Sequence, residues 1–241
     1  MTPPLLRWDA PGPYEVAFST RRGGVSEGPY ASLNLGVATG DERPRVVENR
    51  IRLCAAIGTD PQRARMAWQR HGAEVVEARA QGVVEPVRND PCDGLWSAEP
   101  GQGLLLLSAD CLPIALARRG GAAPALALLH AGWRGLVAGI AAAGVAALGG
   151  RTAAIVGPGI GPCCYEVGEE VAAPFRAAFG ADVVRGGRLD LWTSAERALR
   201  AAGCERVERI DLCTACRPDL FFSHRRDLGT TGRQGVVGYV A

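Results

Sequence analysis

The sequence predicts an α+β fold, with mixed β-sheets and helices packed on them, in a single domain over residues 1–241. Two observations carry this. Strand-length apolar runs and helix-length stretches mix without the regular βαβ alternation of a parallel sheet. No linker, charge block or low-complexity segment divides the 241 residues, a length that one large domain accommodates. Apolar residues make up 47% and charged residues 22%, which is ordinary globular usage. A chain this long buries roughly 70–75% of its unfolded surface and needs no staple to fold. Gly 32 and Pro 16 imply many turns.

Taken in order, Tyr14–Thr20 reads as a first strand, followed by a long Gly/Ser/Asn-containing loop over Arg21–Gly40. Pro44–Ile57 reads as a helix with Pro44 near its start, Val47, Ile51 and Cys54 on one stripe, and Gly58 as a stop. Met66–Trp68 and Val75–Ala78 read as short strands flanking a turn at His71. Leu104–Leu107 is continuously apolar, as a strand buried on both faces would be, and Ile114–Ala117 and Ala125–Leu129 are two more. Trp133–Leu148 reads as one helix. Its Gly135, Gly139 and Gly144 would each cost ~1 kcal/mol against Ala, so close backbone packing is expected there. Ala153–Val156 is a strand and Gly157–Pro162 a rigid loop; Gly168–Phe179 is a helix despite Pro174. Thr193-Ser-Ala-Glu196 has the capping-box pattern of a helix start, with a stop at Gly203. Val207–Leu212 and Val236–Val240 complete the strands.

Composition excludes several functions. The 27 basic residues are all Arg. Without Lys there is no P-loop and no pyridoxal Schiff base. Three histidines cannot supply the several imidazoles per cluster that a multicopper oxidase uses. A net charge of +2 gives no electrostatic case for nucleic acid or membrane partners. Met1-Thr2-Pro3-Pro4 does not open a secretory signal. The longest charge-free stretch, around Leu136–Gly150, falls short of the ~20 residues of a spanning helix. The expected compartment is the cytoplasm, where thiols stay reduced. The eight cysteines then read as buried apolar residues, ligands or nucleophiles.

The sharpest constellation is His71, Cys111 and His130, each just past an apolar, strand-like run. Two imidazoles and a thiolate suit zinc, and three protein ligands leave a fourth position open, which is the catalytic arrangement. The competing reading is a small buried cysteine with two hydrogen-bonded core histidines. Asp110 could orient a ligating histidine, or could simply be a turn residue. In His130-Ala-Gly-Trp-Arg-Gly135 a strand runs into a helix, whose first N–H groups and Arg134 would suit an anion. Cys213-x-x-Cys216 with Cys163-Cys164 is a rival metal set, but a second CxxC is missing and adjacent cysteines are poor joint ligands. A closed four-thiolate site is therefore not expected. The cytidine-deaminase pattern is absent: His71 is followed by Glu74, giving H-x-x-E, and Pro162-Cys163-Cys164 lacks the second spaced cysteine.

Taken together, these segments resemble the YfiH-like family of laccase-domain, purine-nucleoside-phosphorylase-like proteins. The resemblance runs from Ser19-Thr-Arg-Arg-Gly-Gly-Val-Ser26 and Ser32-Leu-Asn-Leu-Gly36 through Gln69-Arg-His-Gly72, Ala109-Asp-Cys-Leu-Pro113 and His130-Ala-Gly-Trp-Arg-Gly135. It continues through Gly157–Gly168 to Phe222-Ser-His-Arg-Arg-Asp227 and Thr231-Gly-Arg233. It implies a layered α/β/β/α fold like the cysteine-hydrolase domain of deamidating toxins, and His71, Cys111 and His130 as a metal triad. It also implies phosphorolysis of adenosine, inosine, guanosine and methylthioadenosine, and deamination of adenosine, with copper-dependent polyphenol oxidation and peptidoglycan-precursor editing as other assignments in the family.

Three functions follow as expectations. The first is a zinc-dependent purine nucleoside enzyme, with Arg134 at the anion and Asn34, Arg21, Arg225 and Arg226 as candidate substrate contacts. The second is a cysteine hydrolase with Cys111 as nucleophile and His130 or His71 as base. The third is a copper-dependent phenol oxidase. The expected partners are a nucleoside and phosphate, with no nucleic acid or membrane, and the chain is expected to be a monomer.

Overall fold

A computed structural model of the chain describes residues 2–83, 90–120 and 123–241. In chain order the elements are β1 (Leu5–Arg7), β2 (Tyr14–Ser19), α1 (Arg43–Ile57), β3 (Arg65–Met66), β4 (Val75–Glu77), β5 (Gly94–Ser97), β6 (Leu104–Ser108), β7 (Leu112–Arg118) and β8 (Leu126–Ala131). There follow α2 (Trp133–Val137), α3 (Ile140–Leu148), β9 (Thr152–Val156), α4 (Glu169–Phe179), β10 (Val184–Arg185), β11 (Arg188–Leu189), α5 (Leu191–Ala201), β12 (Arg206–Arg209) and β13 (Gln234–Val240). A five-stranded sheet has the order β1-β2-β13-β6-β3, and a six-stranded sheet has the order β12-β9-β7-β8-β5-β4. Both mix parallel and antiparallel pairs. This is the expected single-domain α+β fold with mixed sheets.

The period of two along each strand builds the layers. On β6, Leu104 and Leu106 face the six-stranded sheet, while Leu105 faces α1 with Leu53, Cys54 and Ile57. On β7, Ala115 and Ala117 face the five-stranded sheet, while Ile114 and Leu116 meet the helical layer. β8 alternates the same way, with Leu126 and Leu128 between the sheets and Ala127 and Leu129 under the helices. The order is therefore α1, sheet, sheet, then α2–α5. Strands covered on both faces read as unbroken apolar runs for this reason.

Several elements differ from the sequence expectation. The helix expected over Trp133–Leu148 is two helices, because Gly139 takes a left-handed φ of 92° between them. The close packing holds at Gly135, where a Cβ would meet the Gly72 carbonyl at 2.8 Å, and at Gly144, where it would meet Leu129 Cδ1 at 2.7 Å and Leu116 Cδ1 at 2.8 Å, but not at Gly139, where nothing lies within 4 Å. The helix expected to start at Thr193 starts a turn earlier, with the Asp190 carboxylate accepting from the Thr193 backbone N–H at 2.9 Å. The two strands flanking His71 are present as expected and lie in different sheets, β3 in the five-stranded one and β4 in the six-stranded one. Among the described residues no helix is long and apolar enough to cross a membrane.

Candidate metal centre and substrate cavity

The centre forms where the chain passes between the two sheets. β6 and β7 belong to different sheets, and the turn between them carries Asp110 and Cys111. β3 and β4 also belong to different sheets, and the segment between them carries His71. Gln69 ties that segment to β6: its side chain donates to the Leu107 carbonyl at 2.6 Å and accepts from the Leu107 N–H at 2.9 Å. His130 lies on β8 beside the β6–β7 turn, paired with Pro113 of β7.

The Sγ of Cys111 and ring nitrogens of His71 and His130 lie within 4.8 Å of one another. The two imidazoles meet edge to face, with centroids 4.9 Å apart. His130 is buried, Cys111 partly buried and His71 exposed, so the cluster opens outward. Gly132 allows this closeness, because a Cβ on it would sit 3.0 Å from Cys111 Sγ and 3.2 Å from the His71 ring.

The residue that orients the cluster is Asp93, which the sequence reading did not single out. Its buried carboxylate accepts from His130 Nδ1 at 2.7 Å. It also accepts from the backbone N–H groups of Arg70 (2.9 Å), His71 (2.9 Å) and Gly72 (2.7 Å). A carboxylate only accepts, so Nδ1 carries a proton, and Nε2 is the nitrogen turned to the cluster, able to ligate once its own proton is lost. Burial would push the Asp93 carboxyl up, but the His130, Gly72 and Arg70 donors outweigh it and hold it below its ordinary range. The electrostatics of the cluster favour thiolate. Burial opposes ionisation of Cys111, yet His130 and His71 pull it down to about 6. Burial likewise opposes charge on His130, and Cys111 and Asp93 raise it to about 9.

Asp110, read from the sequence as either an orienting residue or a turn residue, lies in the β6–β7 turn. At φ 88°, it accepts from the Thr214 hydroxyl at 2.6 Å and the Arg225 N–H at 2.7 Å, joining the Cys111 turn to the late loops.

The cluster opens into a cavity of about 510 Å³, within the usual ~300–1,000 Å³ of small-molecule sites. Trp68, Trp133 and Tyr165 give its wall aromatic faces, and Arg225, Arg233 and His224 give it polar and cationic groups. Arg225 is one of the expected substrate contacts; its guanidinium lies over the Tyr165 ring at 5.2 Å. Arg233 and Tyr165 also line the wall, and no local sequence pattern marks them as wall residues.

The other expected contacts sit elsewhere. Asn34 is fully buried, donating to Thr39 and Asp41 and accepting from the Gly36 and Arg233 N–H groups. It shapes the Arg233 segment from behind. Arg21 donates to the Ala31 and Pro218 carbonyls and lies over Phe222. Arg226 grips Asp227 and the Thr214 and Phe221 carbonyls. Neither lines the cavity. Arg134 is exposed, stacked 4.3 Å over Trp133 and also outside the lining. It belongs to a helix of only 5 residues, too short for the macrodipole argument that suggested an anion site there.

Four cysteines that the sequence reading set aside do come together. The Sγ atoms of Cys163, Cys164, Cys213 and Cys216 lie within 4.8 Å of one another. All eight cysteines are free thiols.

Residues 15–240 match the family described as "Multi-copper polyphenol oxidoreductase laccase". The chain belongs to that laccase-domain family, the YfiH-like proteins. It is 39% identical over 236 residues to purine nucleoside phosphorylase YfiH of Escherichia coli (strain K12), covering 94% of each chain. It is 43% identical over 232 residues to a purine nucleoside phosphorylase of Deinococcus radiodurans, covering 92% of this chain and 87% of that one. The crystal structure of YlmD from Geobacillus stearothermophilus superposes with a TM-score of 0.88 at 35% identity, over 98% of this chain and 96% of that one. YfiH from Bacillus licheniformis superposes with a TM-score of 0.87 at 31% identity, over 97% and 98%. Both of these sequence relatives carry the name purine nucleoside phosphorylase, which supports an enzyme.

Proposed function

We propose that the chain is a zinc-dependent purine nucleoside phosphorylase, splitting adenosine, inosine, guanosine and S-methyl-5′-thioadenosine with phosphate. The carrying observation is the open His71–Cys111–His130 cluster at the wall of a cavity that combines aromatic faces with Arg225 and Arg233. The donor set fits zinc: two imidazoles, one with its tautomer fixed by Asp93, and one thiolate-prone cysteine. Copper clusters fit poorly, because the chain has three histidines and His224 lies apart from the other two in the wall. When bound, zinc would supply Lewis acidity at the fourth position.

The protein's own groups account for the rest. The aromatic walls hold the purine, and the forked Arg225 and Arg233 guanidiniums hold phosphate as a dianion. A phosphate oxygen attacks C1′ while the C1′–N9 bond breaks. The purine leaves with that electron pair and takes up a proton, giving free base and ribose 1-phosphate. Deamination of adenosine is a second reading, favoured by the outward opening of the cluster, which admits water as readily as an anion. Water then replaces the amine at C6, giving inosine and ammonia.

Chromatography of reactions with and without phosphate tests the proposal. Phosphate-dependent adenine and ribose 1-phosphate from adenosine, lost in His71→Ala, are expected. Inosine alone would replace phosphorolysis by deamination. Metal-loaded protein inert on every purine nucleoside would overturn both and bring forward amide hydrolysis by Cys111.

A further inference from the structure

The cavity and its metal cluster leave one group of reactive side chains unused. Cys163 and Cys164 follow β9, and Cys213 and Cys216 follow β12. These two strands are parallel neighbours, so the loops leaving them emerge side by side. A bridge between Gly159 and Cys213 and a bond from the Thr214 N–H to the Gly159 carbonyl at 3.1 Å keep the loops together.

Each cysteine pair then sits on a tight turn. The Cys164 and Tyr165 N–H groups both donate to the Gly161 carbonyl at 3.0 Å, and the Arg217 N–H closes back on the Cys213 carbonyl at 3.2 Å. The first turn brings both adjacent thiols to the same partner: Cys163 Sγ is 3.5 Å and Cys164 Sγ 3.3 Å from Cys216 Sγ. This removes the objection that neighbouring cysteines cannot ligate together. Zn–S bonds of ~2.3 Å in a tetrahedron place sulfurs ~3.8 Å apart, and here all four fall within 4.8 Å. The Gly161 N–H also donates to Cys213 Sγ at 3.3 Å, the kind of bond that favours a thiolate.

Packing accounts for only half of the cluster: Cys213 is buried in the core beneath the helices and Cys164 packs against it, but Cys163 and Cys216 do not. Cys54, Cys92 and Cys204 are single buried thiols that fill the core as small hydrophobes. Cys163 and Cys216 are exposed, where an unpaired thiol gains nothing from burial.

We propose that Cys163, Cys164, Cys213 and Cys216 form a second, closed metal site of the four-thiolate zinc class, separate from the His71–Cys111–His130 centre. Its role is structural, since four protein ligands leave no open position. It clamps the two loops that back the cavity: Ile160 and Tyr165 on one line the wall, and Thr214 on the other holds Asp110 beside Cys111.

Metal counting on the full chain, purified in reductant without chelator, tests this. Wild type should carry two zinc per chain, and His71→Ala and Cys163→Ser one each. In cobalt-substituted His71→Ala, intense thiolate-to-cobalt charge-transfer absorption should persist, because the remaining metal has four sulfur ligands. If the serine variant fails to fold, wild type decides alone: blocking thiols with a mercurial should release two zinc per chain. One zinc per chain in wild type with none in His71→Ala would overturn the proposal. So would a disulfide between Cys164 and Cys216 in the reductant-purified protein.

Discussion

Replacing Asp93 by Asn keeps the shape of the side chain and removes one of its two acceptor oxygens. Oδ1 serves His130 Nδ1 and the His71 N–H; Oδ2 serves the Arg70 and Gly72 N–H groups. An amide oxygen can serve one side only, so its NH2 faces two donors on the other. Two hydrogen bonds to a charged acceptor are lost, each worth ~1.5–3 kcal/mol, for a total of about 3–6 kcal/mol. At ~2–4 °C per kcal/mol for a protein of this size, the melting temperature should fall by roughly 6–24 °C. The second effect is on the centre. If the amide oxygen stays with Arg70 and Gly72, His130 must take the tautomer that protonates Nε2, the nitrogen needed for ligation. Metal affinity should then drop ~10–100-fold, read by competition against a chromophoric chelator. An Asp93→Asn protein with wild-type affinity and melting temperature would refute the reasoning.

Arg225→Ala and Arg233→Ala should each raise the phosphate requirement of phosphorolysis about ten- to hundredfold, from loss of a charge-assisted contact of ~1.5–3 kcal/mol. Arg134→Ala should change it little, and a comparable loss in all three variants would place the anion outside the cavity wall. Gly144→Ala should destabilise the fold by ~1–3 kcal/mol in denaturant unfolding, because overpacking against Leu116 and Leu129 outweighs the better helix propensity; a more stable variant would contradict the close approach. The Asp227 carboxyl is pushed up by burial but held below its ordinary value by Arg226 and Thr231. A depressed folded value stabilises above the unfolded one, ~3.9, and is lost as pH falls. Asp227→Asn should therefore cost melting temperature at pH 7 and very little near pH 2, and an equal cost at both would refute this.

The meeting of His71, Cys111 and His130 was legible because each follows an apolar run, and such runs end together where the sheets end. The layers were legible in Leu104–Leu107, whose unbroken apolar character records two covered faces. Asp93 was not: within Pro91-Cys92-Asp93-Gly94 it reads as a turn residue. Its role exists only because β5 pairs with β8 and brings it to His130. The four cysteines are visible in the sequence as a rival set, but spacing alone argues against them, since the two halves meet only through the parallel pairing of β9 and β12. Asn34 looked like a ligand contact because a polar residue in a loop leaves its burial unstated. The break at Gly139 was missed because a helix-permissive glycine and a left-handed one are spelled alike.

A crystal structure of the zinc-loaded protein soaked with adenosine and phosphate tests the central claim most directly. The account predicts one zinc on His71, Cys111 and His130, the purine against the aromatic wall, and phosphate held by Arg225 and Arg233. Metal absent from that triad, or nucleoside and phosphate bound outside the cavity, would contradict it.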